Sequence, residues 1–263
     1  MKTSATSATP RVANGRYGFS QAARMEWIKL RSLRSTWLTL ALTVAAAAAI
    51  AVTIGVNTKD AASDLTNNVL AGVALGLLLS GAVGVLAMTS EYSSGMIRAT
   101  LTAIPNRPLA LAAKAAVVGA VALVVGEGAA FVAFLAGRAA LPGTVPGPSF
   151  GQPGVLRAVV LAGAGFCLIG LIGLGLGAII RHTGTAIAVL VGGVYLLSQF
   201  VALAAHSVMP YLPIAIVANS LTVVRPLTDP VRFLSPWAGL GVLCLYAAVT
   251  LSVGAWLLAK RDA

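Results

Sequence analysis

Apolar residues fill long runs of this chain, and short polar connectors separate them. Six runs qualify as membrane spans, at about 36–56, 69–90, 109–136, 158–180, 185–205 and 237–259. A helix rises ~1.5 Å per residue, so about 20 apolar residues cross a hydrocarbon core of about 30 Å. Residues 19–35 follow another pattern. Phe19, Ala23, Trp27, Leu30 and Leu33 recur at helical spacing, while Arg24, Arg31 and Ser32 lie off that stripe. This predicts an amphipathic helix on the cytoplasmic membrane surface. Glu26 intrudes on the stripe and Ile28 falls outside it. Residues 1–18, rich in Ser, Thr, Ala and Arg, read as a disordered basic arm.

The connector between the second and third runs, Glu91 to Pro105, is too long for a minimal turn. It predicts a short helix whose start Gly95 loosens and which Pro105 cannot continue. Ile97, Leu101 and Ile104 share one face, with Met96 and Thr100 beside them, while Arg98 and Thr102 point away. On pattern alone, a hairpin resting on the headgroups is the favoured reading.

Other positions carry candidate chemistry. Lys114 lies near the inner end of the third run, where it can snorkel to the headgroups. Glu127 lies deeper and cannot. An ionisable group inside a span is a functional candidate, so Glu127 belongs either to a substrate path or to packing, with Arg138 or His206 as partners. Tyr195, Ser198 and Gln199 share a face of the fifth run, and Tyr195 and Gln199 join Glu127 as candidates. The fourth run holds six glycines between Gly163 and Gly177, and the second holds Gly72-x-x-x-Gly76. No strand precedes them, so close helix packing is expected rather than a dinucleotide loop. Residues 137–157 carry four prolines and predict an irregular loop. Arg181 to Gly184 predicts a tight cytoplasmic turn with a solvated His182. Between 206 and 236, prolines bracket Ile214–Val224, which is too short to span and predicts a re-entrant or interfacial outer helix.

Composition agrees with the pattern. Of 263 residues, 58% are hydrophobic and 10% charged, where a soluble domain has about 25% charged. Mean hydropathy is +0.92. This is an all-α polytopic membrane protein without a sizeable soluble domain. The net charge of +11 does not imply nucleic acid, because the basic residues sit in short connectors and one arm. With the N-terminus inside, 13 of the 18 Lys and Arg fall on the inner side. The other five, Lys59, Arg138, Arg157, Arg225 and Arg232, fall outside. That bias places both termini in the cytoplasm of a plasma-membrane protein. Cys167 and Cys244 lie in apolar runs and read as buried thiols. The chain has no phosphate-binding loop and no Cys/His cluster with zinc spacing.

The string Glu91-Tyr-Ser-Ser-Gly-Met-Ile-Arg98, followed by Leu101 and Pro105, resembles the segment between spans two and three of ATP-binding cassette permeases of the type-2 exporter class. Glu26-Trp-Ile-Lys-Leu-Arg-Ser-Leu-Arg-Ser-Thr-Trp37 is similar to the segment before their first span. Ser235-Pro236-Trp237 and the Lys-Arg-Asp end are similar as well. The likeness covers nearly all of the chain after residue 18. It implies a non-catalytic permease subunit with six spans and an external helix between spans five and six. The 91–105 helix would couple to a separate P-loop ATPase subunit through Glu91, Gly95, Arg98 and Leu101. It further implies a second permease copy or paralogue, and ATP and Mg on the partner ATPase rather than on this chain.

Two other classes stay open. An ion-coupled secondary transporter would use Glu127 as a proton site. A non-transport membrane scaffold, signalling protein or enzyme would need no ATPase. Glu91 itself has two partners open to it, the ATPase or the basic N-terminal helix.

Overall fold

The computed structural model describes residues 18–59, 64–197, 200–201, 207–224 and 233–261, and among these no residue is in a strand. The basic arm, Gly18 apart, lies outside the described residues, as do Gln199 and His206. Helix α1 (Phe19–Ser32) meets α2 (Arg34–Asn57) at Leu33. At that corner the rings of Trp27 and Trp37 meet edge to face, 6.4 Å between centroids, as aromatic anchors do at a membrane interface. Helix α3 (Leu65–Leu70) runs through a short turn into α4 (Val73–Ser93), then come α5 (Met96–Ala103), α6 (Arg107–Ala139) and α7 (Val155–Ile180). Helix α8 (Thr183–Leu190) loosens into a π-helical stretch, Val191–Leu196. Helices α9 (Pro213–Leu221) and α10 (Pro236–Lys260) follow.

Among the described residues, five stretches are long and apolar enough to cross a membrane: Arg34–Asn57, Leu65–Ser93, Arg107–Ala139, Val155–Ile180 and Pro236–Lys260. Their outer faces stay apolar, with Leu38, Leu42, Leu245 and Trp256 all exposed. Such surface belongs in lipid. The expected fifth run, 185–205, is represented by the shorter apolar helix Thr183–Leu196. The loop after α6 is irregular, as its prolines predict.

Helix α7 is the axis of the bundle: 67% of its apolar window is buried, against 28% for α2 and 22% for α10. Its glycines make this possible. A Cβ on Gly84 of α4 would strike the Gly170 carbonyl, and one on Gly173 would strike the Gly81 carbonyl. Helices α4 and α7 therefore touch backbone to backbone, the arrangement small residues permit. Phe166 fills notches left by Gly76 of α4 and Gly126 of α6, and Ser80 Oγ donates to the Phe166 carbonyl at 2.8 Å. The packing expected of the Gly-rich run is thus present. Cys167 is half-buried, but Cys244 is exposed on the outer face of α10 rather than buried, because Leu243 and Ala247 take the inward positions there.

Side-chain bonds fix two ends of the bundle. At one end Arg107 donates to the carbonyls of Leu258 and Arg261, each at 2.9 Å. Thr183 donates to Thr89 at 2.9 Å, and the Arg181 guanidinium lies 5.1 Å from the Tyr92 ring centroid. The exposed His182 caps α8 there. At the other end Asp64 accepts from the backbone N–H groups of Val223 and Val224 at 2.7 and 3.0 Å, and Arg157 donates to the Thr222 carbonyl at 2.9 Å. Helix α9 sits at this second end, as its length requires.

Candidate functional site

The first end gathers α1, the last turn of α4, α5 and the first turns of α6. Helix α4 stops after Ser93 because Gly95 takes a left-handed conformation, φ 71°. Nothing lies within 4 Å of where its Cβ would stand, so the backbone angle, not space, calls for glycine. Helix α5 ends at Ala103, before extended Ile104 and Pro105. Asn106 then caps α6 by accepting from Leu109 N–H at 3.2 Å.

The connector faces fall as expected except at Met96, which was expected beside the apolar face and is 45% exposed. Ile97, Thr100 and Ile104 are buried, Leu101 is half-buried against Met88, Leu111 and Leu258, and Arg98 and Thr102 are exposed. Glu91 does not continue the polar face of Arg98 and Thr102. The chain breaks at Gly95, and Glu91 turns inward with 2% of its surface exposed.

Helix α1 also turns differently from its stripe. The residues it buries are Ala22, Glu26 and Leu30, while Phe19, Trp27 and Leu33 are exposed. Two apolar surroundings compete for this helix, the protein and the membrane. The stripe predicted from hydrophobicity therefore divides between them. Glu26, which looked like an intruder, lies at the centre of the protein-facing side.

Four charges meet between these elements. Lys29 Nζ donates to Glu26 Oε1 at 2.9 Å, to Glu91 Oε1 at 2.8 Å and to Thr100 Oγ1 at 2.9 Å. Lys114 Nζ donates to the same Glu91 oxygen at 2.9 Å and pairs with Glu26 Oε2. Thr100 also reaches Glu91 Oε2 at 3.4 Å. Side-chain exposure is 4% for Glu26, 3% for Glu91, 7% for Lys114 and 23% for Lys29. Lys114 does not snorkel; two buried carboxylates hold it inside. Burial works to lower the Lys29 pKa, but hydrogen bonds and charge from Glu91 and Glu26 outweigh it and hold the ammonium above its ordinary value of 10.5. Two anions and two cations leave the quartet neutral. Removing one member strands a buried charge, at a cost of about 3–5 kcal/mol. The quartet is a joint: it ties α5, through Thr100, and α4, through Glu91, to both α1 and α6.

Of the residues expected at a coupling site, Glu91, Gly95, Arg98 and Leu101 all lie at this end, Glu91 inside it and Arg98 on its surface. Of the second group, Glu127 and Tyr195 are described, and no hydrogen bond joins Glu127 Oε2 to the Tyr195 hydroxyl. Glu127 projects from α6 against α7, where Gly163 leaves room for its carboxyl group. Its Oε2 is buried without a hydrogen-bond partner among the described residues, and no ion pair to Arg138 forms. The Tyr195 hydroxyl is buried likewise, and Gln199 lies outside the described residues. The basic N-terminal helix, one of the two partners open to Glu91, does pair with it, through Lys29; sequence reading missed Thr100 and Lys114. The available signal was two misplaced charges, Glu26 on an apolar stripe and Lys114 in an apolar run.

No protein-family model matches this chain, and no curated protein matches it.

Proposed function

We propose that this chain is the membrane subunit of an ATP-driven exporter of the type-2 class, coupled through α5 to a separate P-loop ATPase that carries ATP and Mg. The observation that carries the reading is the buried quartet. A partner that pushes on the exposed Arg98 and Thr102 of α5 acts, through Thr100 and Glu91, on α1, α4 and α6 together. The resemblance of residues 26–37, 91–105 and 235–262 supports the same reading. Export as the direction, and a second permease copy beside this one, follow from that resemblance.

A sixth membrane passage belongs to this proposal. Thr183 bonds to Thr89 at the first end, and Val223 bonds to Asp64 at the second. The chain from 183 to 223 must travel between these ends, and the apolar helix Thr183–Leu196 begins that journey. The end that holds α1, Arg98, Arg107, Arg181 and Lys260 is the cationic one, which supports a cytoplasmic location for it and for both termini.

The test is ATPase stimulation and export in the reconstituted complex. Arg98→Ala lowers both while membrane levels stay normal, and Lys59→Ala at the opposite end changes neither. Wild-type rates for Arg98→Ala would remove the coupling role from α5. A second reading, an ion-coupled transporter, is favoured by the Oε2 of Glu127, which has no hydrogen-bond partner among the described residues. It requires proton-gradient-driven transport by the isolated chain, abolished in Glu127→Gln.

A further inference from the structure

A cavity of about 250 Å³ opens beside the quartet, between α1, α2, α4 and α6. Its volume equals that of about eight waters and falls short of the ~300 Å³ at which small-molecule pockets begin. It has room for part of a ligand. Its three kinds of wall say which part. The floor is the quartet. The sides are apolar, with Val83, Val117 and Val118, and carry the hydroxyl group of Thr36. The rim includes Leu33, Leu86 and Met96, which are 48%, 44% and 45% exposed. The mouth lies at the corner of the interfacial helix and two helices long enough to cross a membrane, and its exposed edge is apolar except at Ser35 and Ser90.

The floor selects the head. Lys114 has three N–H groups and spends two, on Glu26 and Glu91. Among the described residues, Glu91 Oε2 has only the long contact from Thr100 at 3.4 Å. Both side chains are more than nine-tenths buried. One donor and one acceptor of opposite charge thus remain at the cavity wall. A net anion there would add an uncompensated charge beside two carboxylates, and a net cation would do so beside two ammonium groups. A head bearing both charges meets neither cost.

We propose that this cavity binds one zwitterionic phospholipid from the leaflet beside α1. A phosphate oxygen accepts from Lys114, the head ammonium donates to Glu91 Oε2, and the acyl chains leave past Leu33 and Leu86. The bound lipid then braces α1 against α4 and α6. The proposal rests on the membrane-spanning helices and the quartet, not on the exporter reading, and its test needs no ATPase.

The full-length chain, purified in detergent, is titrated with phosphatidylethanolamine, phosphatidylglycerol or glycerophosphoethanolamine, and bound lipid is counted by native mass spectrometry. The expected result is one saturable phosphatidylethanolamine per chain, held at least about tenfold more tightly than phosphatidylglycerol, with no binding of the chain-free head. Val83→Phe and Val117→Phe fill the cavity without touching the quartet and lose that lipid. Equal binding of both phospholipids by the wild-type chain overturns the proposal whether or not the variants fold. So does full retention in both folded variants. Equally tight binding of glycerophosphoethanolamine replaces the membrane lipid with a soluble zwitterion. Disulfide linkage of two chains through Leu86→Cys, unaffected by added lipid, assigns the rim to a second copy instead.

Discussion

Glu91 accepts both ammonium groups on one oxygen, and this makes the quartet intolerant of single losses. With Glu91→Ala, Lys114 stays buried with Glu26 as its one carboxylate. The expected cost is about 3–5 kcal/mol, read as a large fall in unfolding temperature of the detergent-purified chain. Arg98→Ala, on the solvent side of α5, stays within about 0.5 kcal/mol of wild type. Similar losses for the two would mean that the quartet is not the buried joint described. Lys29 supplies a pH dependence. Its pKa is raised on folding, so its protonated form favours the folded state. That contribution is complete below about pH 10.5 and is lost as pH climbs through the raised value. Lys29→Arg keeps its charge there, so its thermal stability should fall less than that of wild type between pH 10 and 12. Parallel losses would assign the alkaline effect to other groups.

At the scale of elements, glycine has two unrelated jobs here. Gly95 serves a backbone angle that ends α4 and starts α5. Gly81, Gly84, Gly170 and Gly173 serve proximity between α4 and α7. Gly128, in α6, serves neither, since no described residue lies within 4 Å of its Cβ position. Gly84→Ala must push α4 from α7, at about 1–3 kcal/mol. Gly128→Ala removes a poor helix former and should be neutral or stabilising by up to about 1 kcal/mol. Unfolding of the two variants in the same detergent checks this; equal stability would show that the α4–α7 approach is not close. The Gly-rich pattern was legible in the sequence as packing, but which partner each glycine serves was not. Gly76 and Gly126 make room for one ring, Phe166, from a third helix.

For the whole molecule, the bonds of Arg107 to the end of α10 and of Glu26 to Lys114 put both ends of the described chain at one end of the bundle. Lys59 and the 142–153 loop belong to the other. Cysteine introduced at Lys59 should therefore react with an impermeant maleimide on intact cells, and cysteine at Asn106 should react only after permeabilisation. The reverse pattern would invert the orientation drawn from the charge bias.

What the sequence alone determined is local. The apolar runs marked the five long helices to within a few residues, the proline-bracketed stretch marked α9, and Gly95 and Pro105 marked the connector helix and its two faces. These follow from helical periodicity and backbone restriction, which act over a few residues. What tertiary structure decided is the site. Glu26 and Lys114 are 88 residues apart, and Lys29 and Glu91 are 62 apart. No periodicity links such positions. One charge misplaced on an apolar stripe and another in an apolar run are each costly alone. Only when packing brings α1 across the start of α6 does each cancel the other, so the cost visible in sequence becomes a joint visible only in the fold.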